Sequence, residues 1–176
     1  VELDLDASTG LLALLPPDRP VTWLRRGEGL VGWGTAAEIR TSGPTRFADA
    51  AKWWSEATAS AIVRDEVDEP GTGLVCFGSF AFGDEPGHSV LSVPEVVVGR
   101  RGDRTWLTTV SQGALTQPGR VAPADPPHEP LAVSFADGAL NGEGWMGVVA
   151  DAVERIRAGE LEKVVLARDL VATSDE

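Results

Sequence analysis

The sequence predicts an α+β protein, and three observations carry that reading. Short β-type runs recur between turn signals over the first 110 residues, as strands bounded by Gly, Pro and Asp do. Two longer segments, about 46–64 and 143–157, place apolar residues at helical spacing. Between two β-type runs stands Arg101-Gly102-Asp103, whose Gly-Asp pair marks a hairpin.

In chain order, Val1–Leu5, Val21–Leu24 and Ala36–Arg40 read as strands. They are separated by Pro16-Pro17-Asp18, by Arg26-Gly27-Glu28-Gly29 and by Gly34. A helix follows from about Arg46 to Arg64, with Phe47, Ala50, Ala51, Trp54, Ala57 and Ala61 on one face and Thr45 placed to cap it. Lys52 lies off that face and reads as a surface residue. Gly73–Phe82 reads as one long strand with a bend at Gly78. Pro94–Arg100 and Arg104–Val110 form the hairpin. The Pro-rich stretch Gln117–Pro130 reads as an exposed connector within one domain. A second helix runs from about Glu143 to Arg157. Its stripe is Trp145, Val148, Val149, Ala152 and Ile156; Asn141 can cap it, and Gly159 can stop it. Val164–Ala167 then reads as a strand covered on both faces, because it shows no alternation.

Composition narrows the function classes. The chain has 176 residues, 43% of them hydrophobic, enough for a real core. No apolar run approaches the roughly 20 residues that cross a bilayer, and no basic-then-apolar leader opens the chain. The expectation is a cytosolic protein without a membrane partner. A net charge of −12 argues against a nucleic-acid partner, since phosphate binding needs clustered Lys and Arg. Cys76 is the single cysteine and stands in an apolar run, Leu74-Val75-Cys76-Phe77, so it reads as a small buried hydrophobe. His88 and His128 read as loop histidines, with no ligand spacing between them. The six Trp read as core residues rather than a stacking platform.

Two pattern matches fail on context. Gly27-Glu28-Gly29-Leu30-Val31-Gly32 spells G-x-G-x-x-G, but Trp33-Gly34 and a β-type run follow where a dinucleotide site needs a helix N-terminus. These read as turn glycines. Ser79 in Gly78-Ser79-Phe80 lacks the nucleophile-elbow glycines. Lys163 is different. It is one of only two Lys among 15 basic residues, and it opens a run that reads as buried. Burial disfavours an ammonium ion, which is how a Lys becomes a base near neutral pH. A strand-end Lys that reaches solvent, or pairs with Glu160 or Glu162, fits the same spacing.

The segment Arg157-Ala-Gly-Glu-Leu-Glu-Lys-Val-Val-Leu-Ala-Arg168 resembles the opening of the catalytic core in chorismate-utilising enzymes. The helix before it fits that resemblance. So does Phe77-Gly-Ser-Phe-Ala-Phe82 followed by Leu91-Ser-Val-Pro-Glu-Val96, an order that is similar to the N-terminal half of isochorismate synthases. The resemblance is good over roughly residues 70–172 and only general before that. It implies a large, mainly antiparallel sheet with flanking helices, of which residues 1–176 are the N-terminal portion of a single larger domain. About 140–176 would begin the catalytic core. It implies chorismate as substrate, Mg²⁺ as cofactor and Lys163 as the base that activates water, since ammonia-using relatives typically carry Gln at that position. The Leu-Leu-Glu-Ser feedback segment of many anthranilate synthases is not matched by Leu14-Leu15-Pro16-Pro17. The resemblance places the general acid, the two metal-binding glutamates and the substrate-lining His and Arg after this segment, so no substrate-binding or metal residue is assigned here. The other half of the fold is then an implied partner. Salicylate synthase is the alternative within the family, and a non-catalytic binding or assembly module is the alternative outside it. Siderophore and menaquinone routes stay equally open.

Overall fold

Turn chemistry places the first strands. Arg26 and Gly27 both take positive φ, 56° and 86°, the backbone of a type I′ hairpin. They join β1 (Val21–Arg25) to β2 (Glu28–Trp33). The G-x-G-x-x-G string therefore opens no helix: Gly27 is a turn glycine, as read, while Gly29 and Gly32 lie on β2, which the sequence reading had not placed. Arg is a poor residue for the left-handed position, where Asn and Gly are at home. Arg26→Asn is expected to raise stability by about 0.5–1 kcal/mol, read as a higher urea midpoint.

The computed structural model describes residues 1–6, 8–17, 19–85, 87–114, 121–125 and 129–174. The chain divides into two compact units, Val1–Pro126 and Pro127–Glu176, inside the Pro-rich stretch assigned to a connector. It is an α+β protein with antiparallel strand pairs and two α-helices among the described residues.

In the first unit, β3 (Ala37–Ser42), β4 (Phe77–Ser79) and β5 (His88–Val93) form a sheet ordered β3-β5-β4. The predicted hairpin is β6 (Val96–Arg101) and β7 (Arg104–Thr109), turned at Gly102. It joins the first hairpin in a four-stranded sheet, β1-β2-β6-β7. Side chains alternate across these strands, so the register divides them between two faces. Thr22, Val31, Val98 and Leu107 form one cross-strand row, and Trp23, Leu30, Gly99 and Trp106 form the next, on the opposite face. The first face carries one core cluster: Val31 and Val98 pack with Leu11 and Leu14 of a short 3-10 turn, and Leu24, Trp33 and Leu107 border them; on the other face Val97 and Trp106 are buried too. Burying each such aliphatic side chain contributes about 1.5–3 kcal/mol.

Helix α1 (Arg46–Ser60) packs against β3. Its N-terminus departs from expectation. Thr45 makes no side-chain cap; its hydroxyl donates instead to Asp49 Oδ2 at 2.7 Å. The helix ends at Ser60, where the Thr58 and Ser60 hydroxyls bond back to carbonyls three and four residues earlier; such bonds compete with the helical ladder. Lys52 is exposed beside Glu56, as predicted. Phe47 of the predicted apolar stripe is exposed and stacks on Phe80.

Other strands also differ from the sequence reading. Val1–Leu5 forms only a bridge between Glu2 and Trp106, with Val1 and Leu3 bonded along β7. The long strand expected over Gly73–Phe82 shrinks to β4: after it the Arg46 guanidinium takes the Ala81 and Phe82 carbonyls and Ser89 Oγ takes the Ala81 N–H, and before it Gly73 turns at φ 77°. Strands β2 and β5 were not read as strands at all. Of the expected exposed connector, Ala124 N bonds Ala13 O at 2.7 Å and Val121 packs against the core. The rest of that stretch lies partly outside the described residues, as does His128.

The loop after α1 is held by Asp65. Its carboxylate accepts from the Thr72 hydroxyl and from the Val67 and Asp68 amides. The Thr72 bond first, then the two amides, hold the Asp65 carboxyl below the usual carboxylate range. A lowered folded-state value means its stabilisation is present above the ordinary carboxylate pKa and lost as pH falls. Asp65→Asn is expected to flatten the acid side of the stability–pH curve, measured by urea denaturation between about pH 3 and 6.

In the second unit, β8 (Val133–Asp137) and β9 (Leu170–Ser174) pair as a two-stranded ribbon. Helix α2 (Gly142–Arg157) agrees closely with its predicted span. Asn141 caps it, accepting from Gly144 N at 2.8 Å, and Gly159 closes it at φ 77°. Asn141→Ala should cost about 1 kcal/mol of helix stability, visible as faster amide exchange over the first turn.

Candidate functional site

Lys163 lies in the twelve-residue segment, 158–169, that joins α2 to β9. The segment is anchored at both ends. On one side Arg155 Nε bonds Glu160 Oε2 at 3.0 Å. On the other, Arg168 pairs with Asp137, and Asp169 accepts from Ala139 N at 3.1 and 3.2 Å. Gly138 permits that approach, since a Cβ there would stand 2.2 Å from Asp169 Oδ2. Between the anchors, Lys163 is exposed and makes no hydrogen bond or ion pair with any described residue, including Glu160 and Glu162.

This corrects the buried-strand reading of Val164–Ala167. No described strand pairs with the run, and Val165 is 92% exposed. An apolar run becomes a ladder strand only when neighbours supply hydrogen-bond partners and cover; the described residues supply neither. The desolvation that was expected around Lys163 is therefore absent among them.

Other candidates resolve simply. Cys76 is half-buried, and burial pushes its thiol up, away from the thiolate a nucleophile requires. His88 opens β5, exposed and opposite Ser42, and Ser79 ends β4. Among the described residues no three His, Cys, Asp or Glu side chains converge to hold a metal ion. No helix among them is long and apolar enough to cross a membrane.

A concave feature that the sequence reading missed lies on the outer face of the four-stranded sheet. Trp23, Leu30, Gly99 and Trp106 form its row of side chains. Trp106 is 2% exposed and lies flat over Gly99, where a Cβ would stand 2.2 Å from its ring. Trp23, expected in the core, is 75% exposed. The loop at Pro70-Gly71 crosses above Leu30, strapped down by Arg104, which bonds Glu69 at 2.8 Å and Val67 O at 3.1 Å. Together these residues enclose a groove of about 380 Å³ rimmed by Arg25, Arg100, Arg101 and Glu28. The arginines meet because both hairpin turns fall at one end of the sheet, Gly29 opposite Arg100. A sequence shows each Arg pair but not that register.

The chain belongs to the chorismate-binding enzymes: the family described as "Chorismate binding enzyme" matches residues 21–176. Membership assigns chorismate as the substrate and a chorismate-utilising enzyme as the class. No curated protein and no solved structure gives a significant match to the chain.

Proposed function

We propose that residues 1–176 are the N-terminal portion of an isochorismate synthase, within a single larger chorismate-binding domain whose catalytic core begins near residue 140. The observation that carries this reading is Lys163, placed directly before Val164-Val165-Leu166-Ala167-Arg168 in a chain of this family.

In this reading the Lys163 amine takes a proton from water as the water oxygen bonds to C2 of chorismate. The ring double bonds shift and the C4 hydroxyl departs, protonated by an acid from another part of the fold. That part would also supply the cover around Lys163 and the Mg²⁺ ligands. The second unit supports the need for such cover. Val133, Phe135, Leu170 and Val171 of its ribbon are exposed, and a two-stranded ribbon is marginal by itself.

The test is incubation of chorismate and Mg²⁺ with a chain that carries the complete fold, followed by chromatography of the products. Isochorismate alone is the expected result. Salicylate with pyruvate would replace the reading by a salicylate synthase. No turnover would leave a binding or assembly module. Residues 1–176 alone are expected to be inactive, and isochorismate formed by them would overturn the placement of the acid elsewhere.

A further inference from the structure

The groove on the outer face of the four-stranded sheet has the chemistry of a ligand site, and it owes nothing to Lys163. Its floor and one wall are apolar and flat: Leu30, the Trp106 indole and the largely exposed Trp23 indole. Indole faces favour stacking with another ring over contact with water. Its rim holds three guanidinium groups against one carboxylate in a chain of net charge −12. Glu28, that carboxylate, accepts from Gly102 N at 2.9 Å. Arg25 has no ion-pair partner among the described residues. Arg101 reaches Glu69 only at 4.0 Å, and Glu69 is already engaged by Arg104 at 2.8 Å. Arg100 adds charge at the groove's end while bonded to Thr9 O and Thr105 Oγ1. The buried Trp106 N–H, in the groove lining, has no acceptor among the described residues, and such an orphaned donor is uncommon.

We propose that this groove binds a small flat ring bearing a carboxylate, with the ring against Trp23 and the Leu30–Trp106 floor and the carboxylate at Arg25 and Arg101. Guanidinium groups match a carboxylate's two oxygens in a planar fork. The volume suits one substituted ring rather than an extended chain. A bare inorganic anion would leave the indole wall unused, and a neutral ring would leave the arginines unused.

The probe is benzoate, titrated into the 176-residue chain while the six Trp indole N–H signals are followed by NMR. The expected result is a saturable, single-site shift of the Trp23 and Trp106 signals, the other four staying fixed. Arg25→Gln with Arg101→Gln should weaken binding at least about tenfold. Trp23→Ala should weaken it comparably. Both side chains of the Arg variant are on the surface, and unchanged Trp33 and Trp54 signals check its fold; should it fail to fold, Trp23→Ala decides. Three outcomes overturn the proposal: no saturable shift by about 10 mM benzoate, equal binding of benzamide, or the same shifts with inorganic phosphate.

Discussion

Lys163→Gln, introduced into a chain with the complete fold, is expected to lower kcat for isochorismate formation by about 10²–10⁴-fold with little change in KM. General-base catalysis acts on the transition state, so losing it leaves ground-state binding of chorismate intact. Gln keeps length and polarity but cannot take a proton from water. The split between kcat and KM is the diagnostic measurement. A matching rise in KM would make Lys163 a substrate anchor instead, and an unchanged kcat would remove it from the reaction.

The second large effect is on stability. Arg46 opens α1, yet its side chain is only 7% exposed. Its guanidinium donates to Gly43 O at 2.8 Å, Phe82 O at 2.9 Å and Ala81 O at 3.0 Å, pairs with Asp84, and lies 4.6 Å from the Phe47 ring centroid. One side chain thus joins the turn before α1 to the loop after β4. Its own carbonyl accepts from the buried Thr41 hydroxyl. Arg46→Met keeps much of the volume but strands three part-buried carbonyls, and a buried acceptor left without its donor costs about 1–3 kcal/mol. The urea midpoint of the 1–176 chain should fall accordingly, with amide protection lost over 43–47 and 80–84. Asp84→Ala is the control. Asp84 is 60% exposed, so that change should cost less than about 1 kcal/mol. Equal losses in the two variants would mean the ion pair, not the carbonyl clamp, holds the loop.

Arg46 shows where sequence reading stops. It was legible as a helix start, because local spacing sets helical periodicity. Its partners lie up to 38 residues away, and no local pattern records them. The same division runs through the site. The turn residues at 26–27 and 102 and the caps of α2 act within a few residues, and they were readable in advance. The G-x-G-x-x-G string was readable as turn glycines, but strand β2, which carries most of it, was not. Nor was the shortening of Gly73–Phe82, where a guanidinium from α1 claims the Ala81 and Phe82 carbonyls.

By itself the sequence determined the α+β class, the hairpin of β6 and β7, the span and caps of α2, and the Lys before Val-Val-Leu-Ala-Arg that suggested the family. These depend on backbone preferences and residue identity, which are local. Tertiary structure alone decided that Lys163 lies exposed rather than on a buried strand, because cover comes from elements distant in sequence. It also decided that Arg25 and Arg101 share a groove with two indoles, because strand register sets which side chains meet.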